Sequence, residues 1–233
     1  MKSLMKTIII IVTLFAVVAP KQLTAQGAFE NLNFEEAGLY LTSIPAGQEG
    51  GVVSAASAFP GWTVAGGLAL QNTLATGAEA VGIWGPDAPS SMILQGQWSA
   101  VLQAGTGDDG PNTPATLSQS GLIPPSTQSI RFYGSGAIQG SLSVSINGQN
   151  IAYSIISSIA SYDVYGANIP QFANQTVTLE FTENLVFPSP GYGGVILDNI
   201  QFSSANVVPE PSIIALGAFG GLLFGVRKWF ARR

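Results

Sequence analysis

The chemistry open to this sequence rests on carboxylates and aromatic rings. It contains no His and no Cys, so the commonest general base, the commonest zinc ligand and every thiolate are missing. A Ser-His-Asp triad is therefore impossible. A Ser-Lys dyad lacks its lysine, because Arg131 is the sole basic residue between Gln26 and Val208. Neither a G-x-S-x-G elbow nor a phosphate-binding P-loop occurs. Two carboxylates can hydrolyse a glycosidic bond unaided, but no spacing here singles out such a pair, and no catalytic residue is assigned. Asp108-Asp109-Gly110 lacks the repeated x-D-x-D spacing of a calcium loop and reads as a turn.

Aromatic faces stack on sugar rings, yet aromatics also dominate protein cores. Trp62 lies in the stretch Phe59–Val64 and Trp98 in an alternating run, so both are expected in the core. Trp84 and Tyr192 border Gly/Pro-rich loops and are the candidates for an exposed ligand face. Arg131 stands between Ile130 and Phe132, where pairing with an acidic residue across a strand is the expected role and clamping a ligand the lesser one.

The stretch from Gln26 to Val208 sets twelve acidic residues against Arg131 alone, a net charge of −11. Such a domain repels phosphate backbones, which argues against nucleic acid as a partner. The other basic residues, Lys2, Lys6 and Lys21 at the start and four more after Val226, flank apolar segments. That is the charge pattern of an exported middle. Charged residues make up 9% of the chain and Gly contributes 28 positions, a balance that suits turn-rich β structure.

The elements that must position these groups are short strands. Leu142, Val144 and Ile146 alternate with serines, Asn147-Gly148 follows, and Ile151, Tyr153 and Ile155 alternate again. Two period-2 runs around Asn-Gly are a strong hairpin signal. Further strands are expected at Gly67–Leu70, Ala80–Trp84, Met92–Leu94, Trp98–Gln103, Ile130–Tyr133, Thr176–Phe181 and Val195–Phe202. Many short strands without intervening helices predict an all-β sandwich over 26–206.

Both ends read as targeting segments. Lys2 and Lys6 precede the twelve-residue apolar run Ile8–Ala19, then Pro20 and small residues, the plan of a secretory signal peptide over 1–25. At the other end Pro209, Glu210 and Pro211 precede an uncharged run, Ser212–Val226, followed by Arg227, Lys228, Arg232 and Arg233. As a helix the run is about 22 Å long and spans a membrane if Arg227 and Lys228 snorkel. The order Pro-Glu-Pro, apolar helix, basic cluster over 207–233 resembles the PEP-CTERM sorting signal of Gram-negative bacteria. The resemblance implies processing by an exosortase-type membrane protease after passage through the export machinery. It also implies display on the cell surface or in the extracellular matrix.

The middle resembles a second family. NLNFEE from Asn31, FPGWTV from Phe59, LSQSGLIP from Leu117, INGQ from Ile146 and VILDNIQFS from Val195 look like pieces of galactose-binding-like jelly-roll domains, such as those of DUF642-like surface proteins. The resemblance implies a jelly roll with its first and last strands adjacent, and a role in binding carbohydrate. In related carbohydrate-binding modules a structural calcium sits near those strands. On that resemblance Glu35, Glu36 and Asp198 are candidate ligands, since oxygen donors suit Ca²⁺. The alternative is that Glu35 and Glu36 are solvated and Asp198 caps a turn or accepts from a backbone N–H. The expected function is therefore a non-catalytic surface protein associated with exopolysaccharide. The alternatives are a carboxylate-dependent glycan-processing enzyme and a structural protein without a specific ligand.

Overall fold

A computed structural model of the chain describes residues 28–38, 51–73, 79–106, 112–136, 138–184 and 194–207. In chain order the strands are β1 (Gly51–Val52), β2 (Thr63–Ala65), β3 (Leu68–Gln71), β4 (Ala80–Trp84), β5 (Ser99–Gln103), β6 (Gly105–Thr106), β7 (Asn112–Thr113) and β8 (Ala115–Leu122). They continue with β9 (Ser129–Gly136), β10 (Leu142–Ile146), β11 (Gln149–Asn150), β12 (Ser154–Ile159), β13 (Tyr162–Asn168), β14 (Thr176–Glu183) and β15 (Val195–Ser203). Eight form one sheet in the order β1-β3-β4-β5-β15-β9-β13-β12; five form another in the order β11-β10-β14-β8-β2; β6 and β7 pair separately. Every pairing within the two large sheets is antiparallel except β3 with β4.

The two large sheets face each other across one core, which makes the domain a β-sandwich. Val81, Leu102, Phe132 and Leu197 from the eight-stranded sheet share a cluster with Leu117, Val144, Leu179 and Phe181 from the five-stranded sheet. Phe132 and Phe181 meet edge to face, ring centroids 5.4 Å apart, an arrangement that suits the ring quadrupoles. Trp62 and Trp98 are buried in this core, as expected from their contexts.

The hairpin read from Asn147-Gly148 is present, with φ of 51° and 75° at its two turn residues, the positive values a type I′ turn requires. Its second arm is shorter than the alternation implied. After β11 the chain leaves the five-stranded sheet, and β12 joins the edge of the other sheet. The Met92–Leu94 strand is corrected: Ser90–Met92 is a 3₁₀ turn, and the segment leading to β5 folds over the sheet instead of joining it. The quoted sequence pieces converge. Trp62 Nε1 donates to the Asn31 carbonyl at 3.0 Å, and Asn31 Nδ2 donates to the Pro60 carbonyl at 3.1 Å. Ile200 N donates to the Leu32 carbonyl at 2.9 Å, so the first and last segments lie side by side. Among the described residues no helix is long and apolar enough to cross a membrane. The signal segment, Ser212–Val226, the sorting residues Pro209, Glu210, Pro211, Arg227, Lys228, Arg232 and Arg233, Asp108-Asp109-Gly110 and Tyr192 lie outside the described residues.

Candidate functional site

Successive strand residues point to opposite faces of a sheet. In β9, Ile130 and Phe132 enter the core, so Arg131 and Tyr133 lie on the outer face of the eight-stranded sheet. In β15, Val195 and Leu197 enter the core, and Ile196 and Asp198 face outward. Asp198 is in register with Tyr133, and Tyr133 with Val164 of β13. A second apolar cluster forms on this outer face: Trp84, Leu94, Val101 and Ile196, with Ala88, Met92, Tyr133 and Tyr162 packed against it. The 85–98 connection supplies Ala88, Met92 and Leu94, so it folds down over β4 and β5. That cover explains why both strands are buried at every position rather than at alternate ones.

Two carboxylates pin that connection. Asp198, fully buried, accepts from Gln95 N at 2.9 Å and Ser99 Oγ at 2.7 Å through Oδ2, and from Asn199 N at 2.6 Å through Oδ1. Glu35 Oε1 accepts from Gln97 N at 2.9 Å and Trp98 N at 3.2 Å. Between them Gly96 has φ of +63°, and a Cβ there would collide with the Glu35 carboxylate. The turn thus wraps its N–H groups around anions supplied by the first and last segments. Burial pushes the Asp198 carboxyl up to about 7; the Glu35 charge adds to this, and the three hydrogen bonds oppose it.

The structure brings Glu35 and Asp198 to the same turn, whereas Glu36 is exposed and joins through its backbone N–H, which donates to Asn31 Oδ1 at 3.0 Å. Among the described residues no three Asp or Glu side chains form a group able to hold a metal ion. Calcium here would share Glu35 Oε1 and both Asp198 oxygens with these five hydrogen bonds, whereas Glu35 Oε2 accepts none of them.

Trp84 corrects an expectation: it is 5% exposed, beneath the connection rather than at a loop surface, and its Nε1 has no hydrogen-bond partner. Gly82, two residues back on the same face, leaves room for the indole. The aromatic surface is instead Tyr133 and Tyr162, half-buried and stacked with ring centroids 4.6 Å apart and planes 21° apart. The Tyr162 phenol is raised, by burial first and then by Tyr133 and the Asp198 charge. Sequence alternation held the signal for Tyr133, opposite in phase to Ile130 and Phe132. Tyr162 sits in a strand with no clear alternation, and nothing marked it.

A second buried carboxyl, Glu183, points inward from the end of β14 and accepts from Ala104 N at 2.8 Å. Burial pushes it up to about 7, against the Ala104 hydrogen bond. It does not pair with Asp198. Their partners, Ser99 and Ala104, stand five residues apart along extended chain, about 17 Å, whereas glycosidase carboxyls lie roughly 5–9.5 Å apart.

No family model matches this chain, and no curated protein does. Among solved structures it is similar to TmCBM61 in complex with beta-1,4-galactotriose, at 11% identity and TM-score 0.42, covering 77% of this chain and 99% of that one. It is also similar to the enzymatically active domain of bacteriophage CBA120 tailspike protein 4, at 16% identity and TM-score 0.34, covering 62% of this chain and 19% of that one.

Proposed function

We propose that this chain is an exported, surface-displayed jelly-roll protein that holds neutral polysaccharide without cleaving it. The observation that carries this reading is the half-buried Tyr133–Tyr162 pair, seated against Trp84, Val101 and Ile196 on the outer face of the larger sheet. Phenol rings present apolar faces to sugars while their hydroxyls stay wet. The charge of −11 between Gln26 and Val208 disfavours anionic polymers within a Debye length of about 8 Å. Single contacts of this kind are weak, so many copies on one surface would supply avidity. Display follows from the ends: a leader removed near Ala25 and an exosortase-processed tail at Pro209, Glu210 and Pro211, supported by their order of Pro-Glu-Pro, apolar run and basic cluster.

The test is retention of the purified full-length chain on the host's exopolysaccharide. Wild type is retained and leaves the polymer intact; Tyr162→Ala and Tyr133→Ala elute early. Release of shortened glycan would establish an enzyme instead, and unchanged retention of both variants would remove the tyrosine face from the site. In the host, truncation before Val208 sends the domain to the medium, and substitution of Glu210 impairs sorting without altering the fold.

A further inference from the structure

A separate cavity of about 330 Å³ opens at the edge of the sandwich, where the chain crosses from β11 to β12; Gly140, Tyr153, Ser154, Ile155 and Tyr165 line it. The size falls at the lower end of ligand sites, roughly 300–1,000 Å³. It lies on the core side of β13, away from Tyr162, because Tyr165 is in register with core Phe132. The Tyr153 and Tyr165 rings stand nearly perpendicular, 84° between planes with centroids 5.7 Å apart. The space beside Gly140 is open: a Cβ there would meet nothing within 4 Å.

The polar groups are biased. Tyr153 spends its hydroxyl proton on the carbonyls of Leu142 at 2.7 Å and Ile138 at 3.1 Å. Tyr165 spends its own on Asp163 Oδ2 at 3.3 Å. What faces the cavity is ring surface, the Ile155 side chain and the Ser154 hydroxyl, with the half-buried Asp163 carboxylate bonded to the Tyr165 hydroxyl and no basic side chain among the described lining residues. Burial first, and then the Asp163 charge, push the Tyr165 phenol up to about 12. A ligand suited to such walls donates hydrogen bonds and carries positive charge, since aromatic rings and a carboxylate both attract cations. A sugar hydroxyl meets only the first requirement.

We propose that this cavity binds an organic ammonium group, carried either by a free small amine or by an amino-sugar unit of a polymer. Saturation-transfer NMR on the full-length chain tests it with three probes at about pH 6: methylammonium, glucosamine and glucose. The ammonium probes receive saturation and glucose does not. Asp163→Asn weakens binding about tenfold, and Ser154→Trp, which fills the mouth from an exposed position, abolishes it. Tyr162→Ala, on the opposite face of β13, leaves it unchanged. Binding of methylammonium alone identifies a free amine, and binding of glucosamine alone an amino sugar; either supports the site. The proposal is overturned if neither ammonium probe binds, if glucose competes equally with glucosamine, or if Asp163→Asn and Ser154→Trp both bind like wild type.

Discussion

The outer faces of the two sheets solve opposite problems. On the five-stranded sheet the outer face is wet. Burial alternates along β8 and β14, and cross-strand hydroxyls pair there, Thr116 with Thr182 at 3.0 Å and Ser120 with Thr178 at 2.7 Å. On the eight-stranded sheet the outer face is dry over β4, β5 and the start of β15, because the 85–98 connection lies on it. Short hydroxyl side chains suffice where water covers the sheet. Where protein covers it, large apolar groups fill the space, and a carboxylate such as Asp198 must find hydrogen bonds or a proton. The covered face also ends in the tyrosine pair, so the same packing that excludes water fixes the candidate binding surface.

The largest expected effect separates these faces directly. Trp84→Ala should destabilise the domain by about 3–5 kcal/mol, the usual cost of deleting a buried indole, in urea unfolding of the chain. Trp84→Phe should cost less, because it fills much of the volume while removing an indole N–H that has no partner. A loss below about 1 kcal/mol for Trp84→Ala would return this residue to the surface and undo the contrast.

Acidity gives the next test. Asp198 and Glu183 have folded pKa values of about 7, above their ordinary values of 3.8 and 4.5. Between those limits the folded chain holds more protons than the unfolded one, so stability falls as pH rises. The contribution is complete below the ordinary carboxyl range and lost above about 7. The slope is at most about 1.4 kcal/mol per pH unit for each group. The melting temperature should therefore be higher at pH 5 than at pH 8, and Asp198→Asn should flatten that difference. Calcium bound at Glu35 and Asp198 would hold both ionised and weaken the slope. Identical slopes in EDTA and in millimolar calcium are expected, and divergence would establish the ion.

The wet face was the more legible of the two in sequence. Thr176–Phe181 reports one solvated side directly, whereas of the serines alternating with Leu142, Val144 and Ile146 only Ser143 is half-exposed and Ser141 and Ser145 are buried. The covered face was harder. Ala80–Trp84 was found as a strand, but a strand buried on both sides has no alternation to say which way Trp84 points. Its position beside a Gly/Pro-rich loop suggested exposure, and that loop turned out to be the cover. The meeting of Glu35 with Asp198 was implied by the jelly-roll resemblance, while the turn that joins them, through Gln95, Gln97 and Trp98, depends on tertiary docking that local patterns do not encode. Tyr162 had no local signal, because β13 carries both small and aromatic residues on each face.

A smaller effect is expected at the tyrosines. Tyr162→Ala removes a half-buried ring stacked on Tyr133, an interaction worth about 0.5–1.5 kcal/mol. Stability should fall by about that much while polysaccharide retention is lost. If the domain unfolds instead, the pair belongs to the covered face alone and has no surface role.

The smallest effect belongs to the wet face, and it decides whether the contrast is energetic or merely visual. Ser120→Ala removes one partner of an exposed hydroxyl pair on β8. Water replaces the lost bond on Thr178, and the methyl group fits a solvated strand surface. The net cost should stay within about 0.5 kcal/mol, the range of surface substitutions away from special features. Ser99→Ala makes the same chemical change on the covered face, where the hydroxyl donates to Asp198 and accepts from Leu94 N at 2.9 Å. Water cannot reach either group, so the Leu94 N–H is left unpaired, at roughly 1–3 kcal/mol, and Asp198 keeps only its Gln95 and Asn199 donors. Measured together by urea unfolding, the two serine substitutions should differ severalfold. Equal costs would mean that water enters beneath the 85–98 connection, and that the raised acidity of Asp198 has another origin.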